Sequence, residues 1–331
     1  MTAEPDLRHA LSGDVDPASV GGYPEHPPRM GFFTDTSVCI GCKACEVACK
    51  EWNAVPADFA DGGFTGMSMD NSEGLGADTW RHVAFIEQRR PLAAQDPGVV
   101  RADPTSHDLA GTDVLSLAGQ GTSSPPAHVP ASPVEPGSAS DFRWLMASDV
   151  CKHCTHAACL DVCPTGSLFR TEFGTVVVQE DICNGCGYCI PACPYGVIDQ
   201  RKDDGRAWKC TLCYDRLGVG AEPACAKACP TDSIQFGPLD ELRERADARL
   251  AGLHDAGISE AQLYGRNPED GVGGDGAFFL LLDEPEVYGL PPDPIVTTRD
   301  LPRMWKHVGI AALALVGGAV AAFASSLGSS R

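Results

Sequence analysis

At 331 residues the chain is long enough to bury a core of its own, and 25 basic against 45 acidic side chains leave a formal charge of −20. That excess excludes the Lys/Arg stripes that nucleic-acid binding requires, and fits solubility or a basic patch on a partner. A disulfide framework is also disfavoured, because the sixteen cysteines sit in a long chain rather than a short secreted one.

Residues 1–30 are polar and rich in Gly and Pro, without the apolar run of a secretory signal, and read as an N-terminal arm that orders on a partner. The segment 31–88 follows and holds the first cysteine set, Cys39, Cys42, Cys45 and Cys49. Residues 89–140 carry Pro, Gly, Ser, Ala and Asp without periodicity, the pattern of an insertion or linker. Within 141–200 lie Cys151, Cys154, Cys159 and Cys163, then Cys183, Cys186, Cys189 and Cys193; within 201–238 lie Cys210, Cys213, Cys225 and Cys229. Short strands are expected at Thr175–Gln179, after the Phe173-Gly174 turn, at Val197–Asp199 and Trp208 around Asp204-Gly205, and at Ile234–Phe236.

Further on, Leu239, Leu242, Ala246, Leu250 and Leu253 mark one face of a helix over 239–254, closed by Gly252 or Gly257. Ala277–Leu282 reads as a buried strand, and a Pro-rich tether at 289–302 completes the segment 239–304. From Val308 to Leu327 no residue carries a charged or amide side chain. As a helix that run would measure ~30 Å, the thickness of a bilayer's hydrocarbon core. Residues 305–328 are therefore expected to form a single-pass anchor, with Trp305 at the interface and small residues at Gly317/Ala321 and Gly318/Ala322 suited to helix packing. Arg299, Arg303 and Lys306 before the span, against Arg331 after it, favour a cytoplasmic face for the body.

Each cysteine set ends Cys-x3-Cys, and Pro164, Pro194 and Pro230 follow three of the four final cysteines. The third set is the C-x2-C-x2-C-x3-C-P run of bacterial ferredoxins, and the others keep its ends while lacking the proline (the first) or widening the middle gap (the second and fourth). In that run three thiolates hold one [4Fe–4S] cube and the fourth reaches the neighbouring cube. Two residues between thiolates let one loop wrap a corner, and proline, with fixed φ and no N–H, turns the chain away. Gly41, Gly185 and Gly187 allow the backbone to approach the sulfurs, or serve as plain turn residues. Zinc sites pair two C-x2-C units without the third close cysteine and the Cys-Pro exit. Four runs imply four cubes, and the fold expected is α+β: tandem bacterial ferredoxin-like [4Fe–4S] modules with a C-terminal transmembrane helix. The segment 31–88 would pair with 201–238 as one module, and 141–200 would form the second.

With four cysteines on every cube, no iron keeps an open position, and no phosphate loop, dinucleotide fingerprint or nucleophile elbow is present. The chain is expected to conduct electrons and to have no catalytic site. His153 and His156 lie in the second loop, where tuning of a cluster or simple exposure suits them better than catalysis. Lys43, Lys50, Lys152, Lys209 and Lys227 flank sets one, two and four, whereas the third set carries no cation. A nearby cation favours the reduced cube, so the third set is expected to hold the lowest or nearly the lowest potential. Lysines that point into solvent would have no such effect.

The segments DTSVCIGCKACEVACKEWN (35–53), DICNGCGYCIPACPYGV (181–197) and KCTLCYDRLGVGAEPACAKACPTDSIQFG (209–237) resemble the iron–sulfur β-subunit of membrane-bound, molybdenum- or tungsten-dependent formate dehydrogenases. PEDGVGG (268–274), Tyr288-Gly289-Leu290-Pro291 and the C-terminal span extend the resemblance over nearly all of 30–325 apart from the insertion. It implies four ligand groups: Cys39, Cys42, Cys45 with Cys229; Cys210, Cys213, Cys225 with Cys49; Cys151, Cys154, Cys159 with Cys193; and Cys183, Cys186, Cys189 with Cys163. It implies as partners a molybdopterin catalytic subunit beside the Cys39 cube and an integral membrane cytochrome b or similar quinone-reactive subunit beside the Cys183 cube. The equivalent relay of a membrane-bound hydrogenase or another molybdopterin oxidoreductase is the alternative. Family members of this shape are exported with a twin-arginine partner, which points to the opposite membrane face from the flanking charges.

Overall fold

The computed structural model describes residues 16–56, 74–88, 143–299 and 301–328. The insertion at 89–140 and the first half of the N-terminal arm lie outside them. Two compact units divide the chain, residues 1–86 with 144–331 and residues 87–143. In the second unit, Arg143 Nε donates to Gln88 Oε1 at 2.8 Å. The first unit contains every cysteine.

Its organising element is a four-stranded sheet in the order β8 (Ile234–Pro238), β1 (Met30–Asp35), β10 (Ala277–Leu281), β9 (Gln262–Tyr264). β1 runs parallel to β10, with Phe33 opposite Phe278, and antiparallel to β8, with Phe32 opposite Phe236. Successive side chains of a strand face opposite sides, so β1 separates two cores. Phe32 enters the cysteine-rich core with Cys45, Cys49, Cys151, Cys210 and Cys225. Phe33 enters the other, stacked on Phe278 with ring centroids 5.2 Å apart.

The second core is closed by α7 (Leu239–Asp255), whose Leu239, Leu242, Ala246 and Leu253 are buried. Those positions form the apolar stripe read from the sequence, although Leu250 is only half-buried. Gly252 falls inside the helix, and the chain leaves it at Gly257, whose N–H donates to His254 O at 2.9 Å.

The smaller strands match the expected turns. β5 (Val176–Val178) pairs antiparallel with β4 (Leu168–Arg170) across Phe173-Gly174, and β6 (Asp199–Gln200) with β7 (Ala207–Trp208) across Asp204-Gly205. β2 (Arg81–Gln88) and β3 (Arg143–Val150) form a further ribbon. The arm from residue 16 to 29 packs on the chain itself: Ala18 is fully buried, and Arg29 donates to Thr155 Oγ1 at 2.8 Å and His153 O at 3.1 Å.

The Pro-rich tether is likewise fastened. Tyr264 Oη donates to Pro291 O at 2.6 Å, Leu290 is buried, and Val296 N donates to Gly271 O at 3.1 Å. α8 (Leu301–Gly328) follows. Its segment Met304–Phe323 has a mean hydropathy of 1.7 with none of it buried, and is long and apolar enough to cross a membrane.

Candidate functional site: sixteen cysteines around four positions

Each set is delivered by a loop and a short helix. Cys39 follows the 3₁₀ turn Thr36–Val38, and Cys45 and Cys49 lie four residues apart on α2 (Ala44–Trp52), hence on one face. Cys159 sits on α3 (Ala158–Asp161), Cys189 on α4 (Cys189–Ala192) and Cys225 on α6 (Ala224–Lys227). Cys213 caps α5 (Tyr214–Leu217).

Where proline follows the last cysteine, the helix stops and the exit turn repeats. Cys163, Cys193 and Cys229 each donate their backbone N–H to the carbonyl three residues back, Leu160, Ile190 and Ala226. After Cys49 stands a lysine instead, and α2 runs on to Trp52.

The residue before the second cysteine is left-handed in all four loops: Gly41 at φ 64°, His153 at 47°, Gly185 at 70° and Leu212 at 57°. Glycine adopts that conformation freely; His153 and Leu212 hold it at a cost of ~1–3 kcal/mol each. A Cβ on Gly185 would also meet Gly205 O at 2.6 Å. The loop geometry therefore belongs to the C-x2-C spacing, and the glycines are only its visible half.

Two cavities each draw their cysteines from two of the sets. One is lined by Cys39, Cys42, Cys45 and Cys229 with Ser148 and Ser233. The other is lined by Cys151, Cys154, Cys159 and Cys193 with His153 and Lys209. The remaining cysteines influence one another's charge, within these sets and across them: after burial, Cys210 feels Cys151 before Cys225. Burial, followed by the charges of Cys210 and Cys225, pushes the Cys49 thiol far up. Burial, then the charges of Cys183, Cys186 and Cys163, pushes Cys189 up to about 11. Burial likewise raises Cys45 to about 11 and Cys159 and Cys210 to about 12.

Such thiols ionise together only if cationic metal supplies the opposing charge. Among the described residues no three Cys, His, Asp or Glu side chains converge on one point closely enough for a single ion. Tetrahedral zinc would draw four sulfurs to ~3.8 Å of one another, from a Zn–S length of about 2.3 Å. Thiols arranged around a cavity suit a polynuclear group instead.

The polar surroundings fit an anionic occupant. His153 lines the second cavity and is buried; its Nδ1 accepts from Val176 N at 3.1 Å, which leaves the ring proton on Nε2, a buried atom with no hydrogen-bond partner among the described residues. Burial, reinforced by Lys209 and Arg29, holds this imidazole neutral, well below the usual histidine range. Ser148 Oγ lies 3.2 Å from Cys45 Sγ, and Leu212 N donates to Cys210 Sγ at 3.3 Å. Asn53 Nδ2 lies within 3.8 Å of both Cys49 and Cys213 Sγ. Asn53, one helical turn past Cys49, was within reach of sequence reasoning. Arg81, whose Nη2 donates to Cys225 Sγ at 3.3 Å, had no sequence signal.

The flanking lysines divide. Lys209 is buried against thiols, Lys152 is buried but paired with Asp149, Lys43 pairs with Glu46 at 3.3 Å, and Lys227 is exposed. His156 lies against Gly273, and its backbone N–H donates to Val272 O at 2.8 Å. The PEDGVGG loop thus grips the second cysteine loop through its backbone, with Thr155 N on Gly274 O at 3.0 Å as the other bond.

A family model described as a 4Fe-4S dicluster domain matches residues 142–239, and one described as a 4Fe-4S binding domain matches 36–52. The iron–sulfur subunit of the nitrate-inducible formate dehydrogenase of Escherichia coli is 34% identical over 303 residues, 90% of this chain and 83% of that one. The formate dehydrogenase iron–sulfur subunit of Haemophilus influenzae is 35% identical over 309 residues, 92% of this chain and 81% of that one. One subunit of the anaerobic dimethyl sulfoxide reductase of Escherichia coli is 31% identical over a shorter stretch, 66% of this chain and 77% of its own length. With its cysteines matching those family models, the chain carries four [4Fe–4S] clusters and belongs to the iron–sulfur subunits of formate dehydrogenases, the electron-transferring, non-catalytic partners in an oxidoreductase complex.

Proposed function

We propose that this chain relays electrons from a molybdopterin catalytic subunit that oxidises formate to a quinone-reactive cytochrome b subunit, while held to the cell membrane by α8 as a single-pass anchor. The crossed grouping of the thiols carries this reading. Cys39, Cys42, Cys45 and Cys229 hold one cluster; Cys49, Cys210, Cys213 and Cys225 the next; Cys151, Cys154, Cys159 and Cys193 the third; Cys163, Cys183, Cys186 and Cys189 the last. Supporting it are the two cavities, each lined by four cysteines of one group, and the mutual influence of thiols within the other two. Residues 31–88 with 201–238 and residues 141–200 then act as two ferredoxin-like modules, each built around two of the groups.

When bound, the clusters supply one-electron carriers. The chain's own part is to fix their order, exclude water and place N–H and O–H donors on the sulfurs. Ser148 serves the first cluster, Asn53 the second and His153 the third. The exposed Cys42 and Cys186 mark the two ends of the series, where the partners dock.

Anaerobic purification in mild detergent, with metal analysis and identification of co-purifying subunits, tests this. About sixteen irons per chain are expected, together with a molybdenum or tungsten protein and a cytochrome. Zinc in place of iron would end the reading, and a co-purifying hydrogenase subunit would reassign the donor.

A further inference from the structure

We propose that Arg81 and Lys209 are countercharges shared between successive clusters. Arg81 stands between the Cys39 and Cys49 groups, Lys209 between the Cys49 and Cys151 groups, and each sets two potentials at once. The inference rests on the ligand grouping above.

Arg81 opens β2 and is 1% exposed. One side of its guanidinium faces the Cys49 group, with Nη2 donating to Cys225 Sγ at 3.3 Å. The other side reaches the Cys39 group through Ser148: Nη1 donates to Ser148 O at 3.2 Å, and Ser148 Oγ touches Cys45 Sγ at 3.2 Å. The ring of Phe32 lies 4.8 Å beneath it.

Lys209 repeats the arrangement one step along. It is 2% exposed, its Nζ donates to Val176 O and, beside the Cys49 group, to Cys210 O, and its side chain lines the cavity of Cys151, Cys154, Cys159 and Cys193. Among the described residues neither cation pairs with a carboxylate, whereas the equally buried Lys152 has Asp149. A buried cation without an anion costs several kcal/mol, so these two are kept by the negative charge of the thiolates on either side.

A cation between two anionic clusters stabilises the reduced form of each and screens the repulsion between two electrons held side by side. Three clusters would thereby be kept reducible in series.

The test uses the detergent-purified, iron-loaded complex in EPR-monitored redox titrations. Signals are first assigned with Cys42→Ser, Cys213→Ser, Cys154→Ser and Cys186→Ser. Arg81→Met should then move the first two signals negative by at least tenfold in the reduction equilibrium, about 59 mV for one electron, and leave the fourth in place. Arg81→Lys should restore most of that shift, and Lys209→Met should move the second and third signals. Should a neutral variant fail to load fully, loss of iron confined to the flanking pair supports the assignment, and loss from all four groups counts against it. The inference is overturned if fully loaded Arg81→Met and Lys209→Met each move one signal or none, or if Arg81→Lys shifts as far as Arg81→Met. If the four serine variants do not each remove a separate signal, it is the ligand grouping that has failed.

Discussion

Replacing His153 by phenylalanine keeps a flat ring at the same left-handed position and removes both nitrogens. Two separable effects follow. On stability, the buried N–H of Val176 loses its acceptor at 3.1 Å, which costs ~1–3 kcal/mol. On redox behaviour, the cluster proposed for Cys151, Cys154, Cys159 and Cys193 would lose the Nε2–H donor, which has no other partner among the described residues. A hydrogen bond contributes ~0.5–1.5 kcal/mol net, and if that difference falls on the reduced state the potential drops by ~20–65 mV for one electron, at about 59 mV per tenfold. The assay is an EPR-monitored titration of the purified complex, following the signal that Cys154→Ser removes. A fully iron-loaded His153→Phe protein whose third signal stays in place, or moves to higher potential, would refute the assignment of Nε2–H as a donor to the cluster.

The Cys163/Cys183/Cys186/Cys189 cluster should titrate lowest of the four or nearly so, and Cys183→Ser should abolish that signal; loss of the highest-potential signal would overturn the argument from missing cations. A protein ending at Arg299 should fractionate as a soluble species without detergent and retain its iron, and continued sedimentation with membranes would show that α8 is not what holds it there. Leu242→Ala, at a fully buried position of α7, should lower the unfolding free energy by ~2–5 kcal/mol in denaturant titrations. Because α7 closes the core on the far side of the sheet from the cysteines, this variant should leave all four potentials unchanged.

The cysteine positions, the exit turns at Pro164, Pro194 and Pro230, and the stripe of α7 were legible because each is set by residues close in sequence. β1 was not. Its Phe32 and Phe33 bury opposite faces in succession, so no alternation marks it, and its partners β8 and β10 lie some two hundred residues further along the chain. Glycine announced the left-handed loop position at Gly41 and Gly185 but not at His153 and Leu212, which hold the same conformation without a glycine to mark it. Arg81 is one isolated arginine in the sequence; only folding brings it to Cys225. The stretch after Leu290 read as a tether because of its prolines, yet Tyr264 and Gly271 bind its backbone at positions that composition alone does not reveal.

That fastening limits how far the body can roam. Val296 and Arg299 are tied to Gly271 and Asp270, in the loop that grips the second cysteine set, and α8 begins at Leu301. Two residues of extended chain reach ~7 Å. A flexible leash would let the metal-bearing body drift relative to the lipid and make each electron hop wait for a favourable encounter. With α8 seated in the bilayer as proposed, the stem is short, and the gap to a neighbour embedded there would be dictated by the polypeptide rather than by diffusion.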